Sequence, residues 1–418
     1  MPGVPMNPLP MQDLTNGLRR NGLVRFLEQY EKAYPDLHLK DLAVQAIDDD
    51  RGMWVDGRRV VNFGSDSFLG LDRHPRILEA LRRGVEKWGS HNGTSRAFSS
   101  VEANLIAEAK LAQWLGVEDT LIYPSVTLTN LGAIPALVGR QDLVLCDQLG
   151  HHSLQEGMRL AQASGVRTGL FPHADPDQLR RALKEAPPYR LALVCVDGIY
   201  SMSGTVPPLA ELDEVCREHR AILYVDDAHA TGVHGRRGRG TALEHIPDIS
   251  NTLVVGSLSK AFSCFGGFIS CSRELKKFLK MRSSSFVFGG PVPPAYLEAV
   301  CEACEILESS EYEALAGRLN RNIRRLVDGL AGFGIPCMGG GTPIVTVLVG
   351  DEVDALRAGR ALFDDGYYAQ SVTFPAVEYH KAVLRLQVNA NHQESDIAGL
   401  AVSVANALRG VQGKKRAA

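Results

Sequence analysis

Apolar residues recur near helical spacing through residues 12–46, where Leu18, Leu23, Phe26, Leu27 and Tyr30 mark one face. Segment 54–63 reads as a hairpin broken at Asp56-Gly57. The helical period returns over 75–88 and 103–115. Short apolar runs then follow at 120–123, 143–146, 191–196, 222–225, 252–255 and 267–271, and helical stretches such as 154–163, 177–184 and 209–219 separate most of them. Strands alternating with helices predict an α/β domain with a mostly parallel central sheet. Runs without polar interruption fit a sheet covered on both faces. After Pro293-Pro294 the pattern changes to helices at 296–307 and 312–330, a strand at 344–349, a helix at 353–363, a strand at 384–388 and a helix at 395–408. These patterns divide the chain into an N-terminal helical segment with a hairpin (1–60), a large α/β domain (61–294) and a small C-terminal α+β domain (295–418). No internal repeat interrupts this order. Gly339-Gly340-Gly341 follows no strand–helix phosphate pattern and reads as a flexible turn.

Composition narrows the class. With 418 residues, 45% hydrophobic and 22% charged, the chain can bury a sizeable core. A net charge of -3 gives no overall basic field for nucleic acid. The start, MPGVPMNPLPMQDL, lacks a basic stretch followed by an apolar core, and no apolar run reaches the roughly 20 residues of a membrane span, so a cytoplasmic protein is expected. Lys414-Lys415-Arg416 reads as a solvated tail. The eight cysteines are scattered; Cys301 and Cys304 form a lone CxxC that reads as one helix face rather than a metal or redox site.

Three strand ends carry polar residues, and in an open α/β sheet ligands bind at the carboxyl ends of strands. In Tyr224-Val225-Asp226-Asp227-Ala228-His229 an apolar strand runs into two acids and a histidine. Those acids suit a metal if further ligands exist; Asp226 alone suits a cationic ring nitrogen, or simply caps a loop. In Val255-Gly256-Ser257-Leu258-Ser259-Lys260 a strand reaches a lysine, either a solvated surface cation or, in a water-poor site, a nucleophilic amine. In Tyr123-Pro124-Ser125-Val126-Thr127 hydroxyls stand at a helix start, where they cap the helix or help its free N–H groups hold a phosphate. Together with His151 they supply what pyridoxal phosphate (PLP) needs: an anion cradle, a ring stack, a pyridinium partner and an amine.

At this point the sequence resembles the α-oxoamine synthases, a family of fold-type-I PLP enzymes. The likeness runs from about residue 62 to 408. Its segments are NFGSDSFLGL (62–71), DQLGHHSLQEG (147–157), DGIYSMSGTVPPL (197–209), YVDDAHATGVHGRRGRG (224–240), GSLSKAFSCFGGF (256–268) and LRLQVNANH (384–392). The resemblance implies the aspartate aminotransferase-like α/β fold and PLP as cofactor. It implies Lys260 as the Schiff-base lysine, Asp226 as pyridinium partner and His229 near the ring's phenolic oxygen. It makes His151 the stacking residue and Ser125, Val126 and Thr127 the phosphate loop. Ser201 falls near the phenolic oxygen, Ser257 stands for a usual phosphate-binding threonine, and Arg385 grips the amino-acid carboxylate. The implied reaction joins a small amino acid (glycine, alanine or serine) to an acyl thioester, carried by coenzyme A or a carrier protein, with loss of CO2. A homodimer with its site at the subunit seam is also implied.

The sequence departs from the family pattern in places. Asp66 replaces an asparagine near the substrate carboxylate, and an acid there repels a carboxylate unless protonated or paired. Val126 replaces a glycine, Asn104 a histidine, Val383 an arginine, and Gly289-Gly290 a Ser-Thr pair. The segment 95–104 is one residue short. These changes cluster at the acyl-donor channel and the dimer seam, and suggest an unusual donor such as a carrier-protein thioester. Two other readings stand beside this one. The first is a PLP aminotransferase or decarboxylase without C–C bond formation. The second is a non-catalytic partner subunit, against which the retained Lys260 argues.

Overall fold

The computed structural model describes residues 10–37, 39 and 41–417, with side chains to 411. The first nine residues and the side chains of Lys414-Lys415-Arg416, on which the leader and tail readings fall, lie outside the described residues. The helical stretch expected over 12–46 is broken. Helices Pro10–Arg19 and Gly22–Ala33 part at Asn21, whose side chain accepts the Leu23 N–H and caps the second helix. Pro35 opens a single 3-10 turn, Pro35–Leu37. Residues Val44–Ile47 then form strand β1 rather than helix. Cross-strand pairing with β2 (Gly52–Val55) decides this, because a tertiary partner outweighs local helical spacing. The hairpin is as expected: β2 turns at Asp56-Gly57 into β3 (Arg58–Asn62), both turn residues having positive φ (51° and 73°).

The central sheet comprises β4 (Asp119–Tyr123), β5 (Leu143–Asp147), β6 (Arg167–Phe171), β7 (Ala192–Asp197), β8 (Ala221–Asp226), β9 (Thr252–Ser257) and β10 (Gly267–Cys271). Its order is β4-β10-β9-β8-β7-β5-β6. Only β10 runs against its neighbours. β5 and β7 are buried at every position, as strands covered on both faces should be. The edge strand β6 has no such signal. Its sequence RTGLF has only Phe171 buried, so the apolar pattern did not reveal it.

The C-terminal part holds helices Pro294–Leu307 and Ser310–Gly332, then β11 (Ile344–Gly350), helix Glu352–Asp364, β12 (Tyr367–Tyr368), β13 (Gln370–Val372), β14 (Ala382–Gln387) and helix Glu394–Ala417. Strands β11, β14 and β13 form one antiparallel sheet. β12 leaves it and pairs in parallel with β3, tying the N-terminal hairpin to this part. β12 and β13 are too short to leave a two-residue period in the sequence. Cys301 and Cys304 are both buried on helix Pro294–Leu307. In the 339–341 turn Gly339 is packed, since a Cβ there would lie 2.1 Å from the Ile344 carbonyl oxygen and 2.8 Å from that of Ser203, while Gly340 and Gly341 are exposed. Among the described residues no helix is long and apolar enough to cross a membrane.

Candidate active site

The carboxyl ends of the parallel strands gather the polar residues on one edge of the sheet. Asp147, Asp197, Asp226 and Ser257 each end a strand. Gly267, opening β10, is in register with both Tyr123 and Ser257 and so draws the ends of β4 and β9 together.

At the β4 end, Ser125 caps helix Val126–Leu137 by accepting the Leu128 N–H at 3.1 Å. The N–H groups of Val126 and Thr127 bond to nothing among the described residues, and Thr127 is exposed. A helix start with free donors is a seat for an anion. Its walls are close: a Cβ on Gly267 would meet the Val126 nitrogen at 2.6 Å, so only glycine fits behind it. Ser257 is fully buried beside this seat, with its Oγ 3.1 Å from that of Ser259.

Asp226 is buried and aimed. One carboxylate oxygen accepts from Asn130 Nδ2 at 2.7 Å, and the other from the Ala228 N–H at 3.2 Å. Asn130 in turn accepts the Tyr224 hydroxyl at 2.9 Å and donates to Ser153 Oγ, also at 2.9 Å. Ser153 Oγ lies 2.7 Å from Nδ1 of His151. His151 caps helix His152–Ala163, and its ring is exposed, so one face is available for stacking. Its backbone N–H is held by Asp197 at 3.0 Å. Burial, then the nearby Asp226 charge, pushes Asp197 well above the usual carboxylate range. The neighbouring Asp227 points elsewhere. It binds Thr241 and the Ala242 N–H, and burial raises it to about 7. The two strand-end acids therefore do different work.

Lys260 is half-buried, with Nζ 3.4 Å from Nδ1 of His229. Burial lowers its pKa, while the charges of Asp66 and Asp226 partly offset this. Burial, then the Lys260 charge, pushes His229 well below the usual imidazole range, so its ring is neutral. Arg385 reaches the same space from β14. Its Nε donates to the Ser201 carbonyl at 2.6 Å, Nη1 to Gln370 at 2.8 Å and Nη2 to Asp66 at 3.2 Å. Gln370 sits directly opposite Arg385 in the β13–β14 ladder. Ser201 thus contributes a carbonyl to Arg385, and its hydroxyl has no partner among the described residues. Val383, two residues before Arg385 and on the same strand face, is buried, which leaves Arg385 as the cation on that face.

Of the residues singled out in the sequence, Asp66, Ser201, His229, Lys260 and Arg385 are joined by contacts to one another. Asp226 and His151 are joined by the Asn130–Ser153 relay, and Ser125 and Val126 to Ser257 through Gly267. Asp227 and Gly289-Gly290 lie apart from them, and Asn104 is buried on helix Glu102–Leu115 with neither amide atom paired among the described residues. Asn130, Tyr224, Ser153, Gln370 and Gln387 were not assigned from sequence. Asn130 lies within the phosphate-loop segment, where an asparagine one turn into a helix was the available signal.

The donor set fits PLP: a narrow anion seat with free N–H groups, an anchored buried carboxylate, an open imidazole face and a half-buried amine. Fold and site together define a PLP-binding α/β enzyme of the aspartate aminotransferase type. Residues 58–404 match the model of the family described as aminotransferase class I and II. The 8-amino-7-oxononanoate synthase of Geobacter sulfurreducens is 38% identical over 344 residues, covering 82% of this chain and 87% of that one. The protein of the same name from Thermoanaerobacter pseudethanolicus is 36% identical over 345 residues, covering 82% and 86%. Among solved structures, a serine palmitoyltransferase with PLP as its internal aldimine superposes with a TM-score of 0.87 at 25% identity, covering 94% of this chain and 100% of that one. The Sphingomonas wittichii serine palmitoyltransferase gives 0.87 at 23% identity, covering 94% and 99%, a likeness of fold. The chain belongs to the aminotransferase class I and II family and, within it, to the PLP-dependent α-oxoamine synthases.

Proposed function

We propose that this enzyme condenses a small amino acid (glycine, alanine or serine) with an acyl thioester and releases CO2 and the thiol. The observation that carries this is the Lys260 amine, 3.4 Å from His229 and within electrostatic reach of both the anchored Asp226 and Arg385. PLP bound there supplies an electron sink for a carbanion at the substrate α carbon. Asp226, fixed by Asn130, holds a proton at the cofactor's ring nitrogen, and the exposed face of His151 covers the ring. Ser125, Val126, Thr127 and Ser257 hold the phosphate, and His229 holds the phenolic oxygen. Arg385 fixes the substrate carboxylate and so orients the α C–H bond. The Lys260 amine, with its depressed pKa, takes the α proton. The α carbon then bonds to the thioester carbonyl carbon and the thiolate leaves, taking a proton from solvent; the carboxylate departs as CO2, and the electron pair it leaves on the α carbon takes back the proton held by Lys260.

A cleft of about 520 Å³ opens beside Gln370 and Met202, walled by Phe26, Tyr30, Phe374 and Pro375. Its apolar lining suits the acyl chain. The enzyme works as a cytoplasmic homodimer, with domain boundaries near residues 60 and 294. Phe98 and Phe288 support a dimer seam: they are 89% and 86% exposed, a large apolar surface for a lone chain. Ser95 Oγ donates to the Val287 carbonyl at 2.6 Å, so the shortened 95–104 segment and the Gly289-Gly290 turn belong to one surface.

The test crosses glycine, L-alanine and L-serine with thioesters of graded chain length, and reads released thiol and CO2 together. Equimolar release of both is expected. Conversion of the cofactor to its amine form without thiol release would point to an aminotransferase instead.

A further inference from the structure

Arg385 is the cation expected to seat the amino-acid carboxylate, yet the seat is already taken. Its Nε and Nη1 are committed to protein partners, the Ser201 carbonyl and Gln370. Nη2 is left for a ligand, and it binds Asp66 at 3.2 Å. Gln387 Nε2 donates to the same Asp66 oxygen. Asp66 Oδ2 accepts no hydrogen bond among the described residues. The Asp66 side chain is 35% exposed against 5% for Arg385, so Asp66 stands on the open side of the guanidinium. Its Oδ1 is also 4.0 Å from Nε2 of His229, on the Lys260 side of the site. A side-chain carboxylate occupies the place and makes the charge-assisted bond that a substrate carboxylate would make.

The backbone beneath Asp66 does not give way easily. Arg51 Nη2 donates to Ser65 Oγ at 3.0 Å, Ser67 Oγ lies 2.6 Å from Ser263 Oγ, and Asn389 donates to the Ser67 carbonyl. Displacing the carboxylate therefore falls to rotation of the half-exposed Asp66 side chain, which gives up its bonds from Arg385 and Gln387 as it turns. While paired, Asp66 cancels the charge of Arg385 and lowers the field that attracts an incoming carboxylate. We infer that Asp66 is a resident competitor for Arg385, a specificity-determining residue that every α-amino acid must displace, and that it holds amino-acid affinity below what the fork alone would give. This rests on the amino-acid site proposed above.

Asp66→Asn keeps the shape and removes the charge. In the PLP-loaded enzyme, calorimetric titration with glycine, L-alanine and L-serine is expected to show about tenfold tighter binding of the preferred amino acid by Asp66→Asn than by wild type. Ethylamine, which is alanine without its carboxylate, is expected to bind no tighter to the variant. Asp66→Glu, which retains the charge, is expected to show no gain. Under turnover, KM for the amino acid falls while KM for the thioester does not. Equal or weaker amino-acid binding by Asp66→Asn, including no detectable binding by either form, overturns the inference, as does an equal gain for ethylamine. The binding arm needs no acyl donor. Absence of thiol and CO2 release with tighter amino-acid binding would therefore sink the proposed reaction and leave the role of Asp66 standing.

Discussion

The cofactor floor and the amino-acid seat meet in one cleft but are built differently. The floor is made of strand ends and helix starts: Asp226 ends β8, Ser257 ends β9, and Ser125 and His151 cap helices. Each polar group there is fixed by short-range backbone geometry plus one relay through Asn130. The seat joins Asp66, on the loop after β3, to Arg385 on β14, 319 residues away in sequence. Gln370 and the Ser201 carbonyl brace Arg385 on two sides, and its third nitrogen is paired with the opposite charge of Asp66. The floor is a preformed site, and the seat is a balanced one that a ligand has to unbalance.

The comparison predicts that damage to the floor removes the chemistry and damage to the seat only weakens substrate capture. The largest effect belongs to Lys260→Ala. Removing the proposed covalent anchor and general base should reduce turnover by more than about a thousandfold. The absorbance of lysine-bound cofactor should vanish, and borohydride treatment with peptide mapping should no longer label this peptide. A variant turning over near the wild-type rate would place the chemistry elsewhere.

The same contrast explains what was legible in the chain. Floor residues sit in contiguous motifs, because a strand end, its turn and its helix start are consecutive in sequence. That Ser125, Asp226, His229, Ser257 and Lys260 lie at or just beyond strand ends and helix starts could therefore be read without a structure. Asn130 escaped assignment because its role depends on Asp226, 96 residues away, and on Tyr224. In the seat, Asp66 and Arg385 were found separately, but their pairing was not, since no local pattern joins the loop after β3 to β14. Gln370 was missed because β13 has three residues, too few for a period. β1 was read as helix for the related reason that its pairing with β2, not its own spacing, decides its shape.

Asn130→Ala tests whether the floor depends on its relay. The change strips Asp226 of a 2.7 Å donor and leaves the buried Tyr224 hydroxyl without its acceptor. Each unsatisfied buried group costs about 1–3 kcal/mol. PLP affinity is expected to fall about tenfold, with lower kcat and little change in amino-acid KM. A change in KM alone would show that Asn130 serves the seat instead.

Gln370→Ala is the matching cut in the seat. Arg385 loses its 2.8 Å brace at Nη1 but keeps the Ser201 carbonyl. Amino-acid KM should rise about threefold to tenfold, with the cofactor spectrum and PLP affinity unchanged. If PLP were lost as well, floor and seat would be one cooperative unit.

Tyr224→Phe separates support from chemistry most finely. The phenol is fully buried and donates one 2.9 Å bond to Asn130 Oδ1. Removing the hydroxyl leaves that acceptor unsatisfied but does not touch the 2.7 Å bond from Asn130 Nδ2 to Asp226. The expected cost is about 1 kcal/mol, seen as a fall of about 1 °C in Tm for a chain of this size. Rates and both KM values should stay within about twofold. The reason is geometric: Nδ2 is held from two sides, by Asp226 and by Ser153, so the amide keeps its orientation after one of its three partners is lost. A rate loss as large as that of Asn130→Ala would mean that the Tyr224 hydroxyl, not the Asp226–Ser153 pair, sets the amide plane, and that the relay starts at Tyr224, two residues before Asp226 on β8.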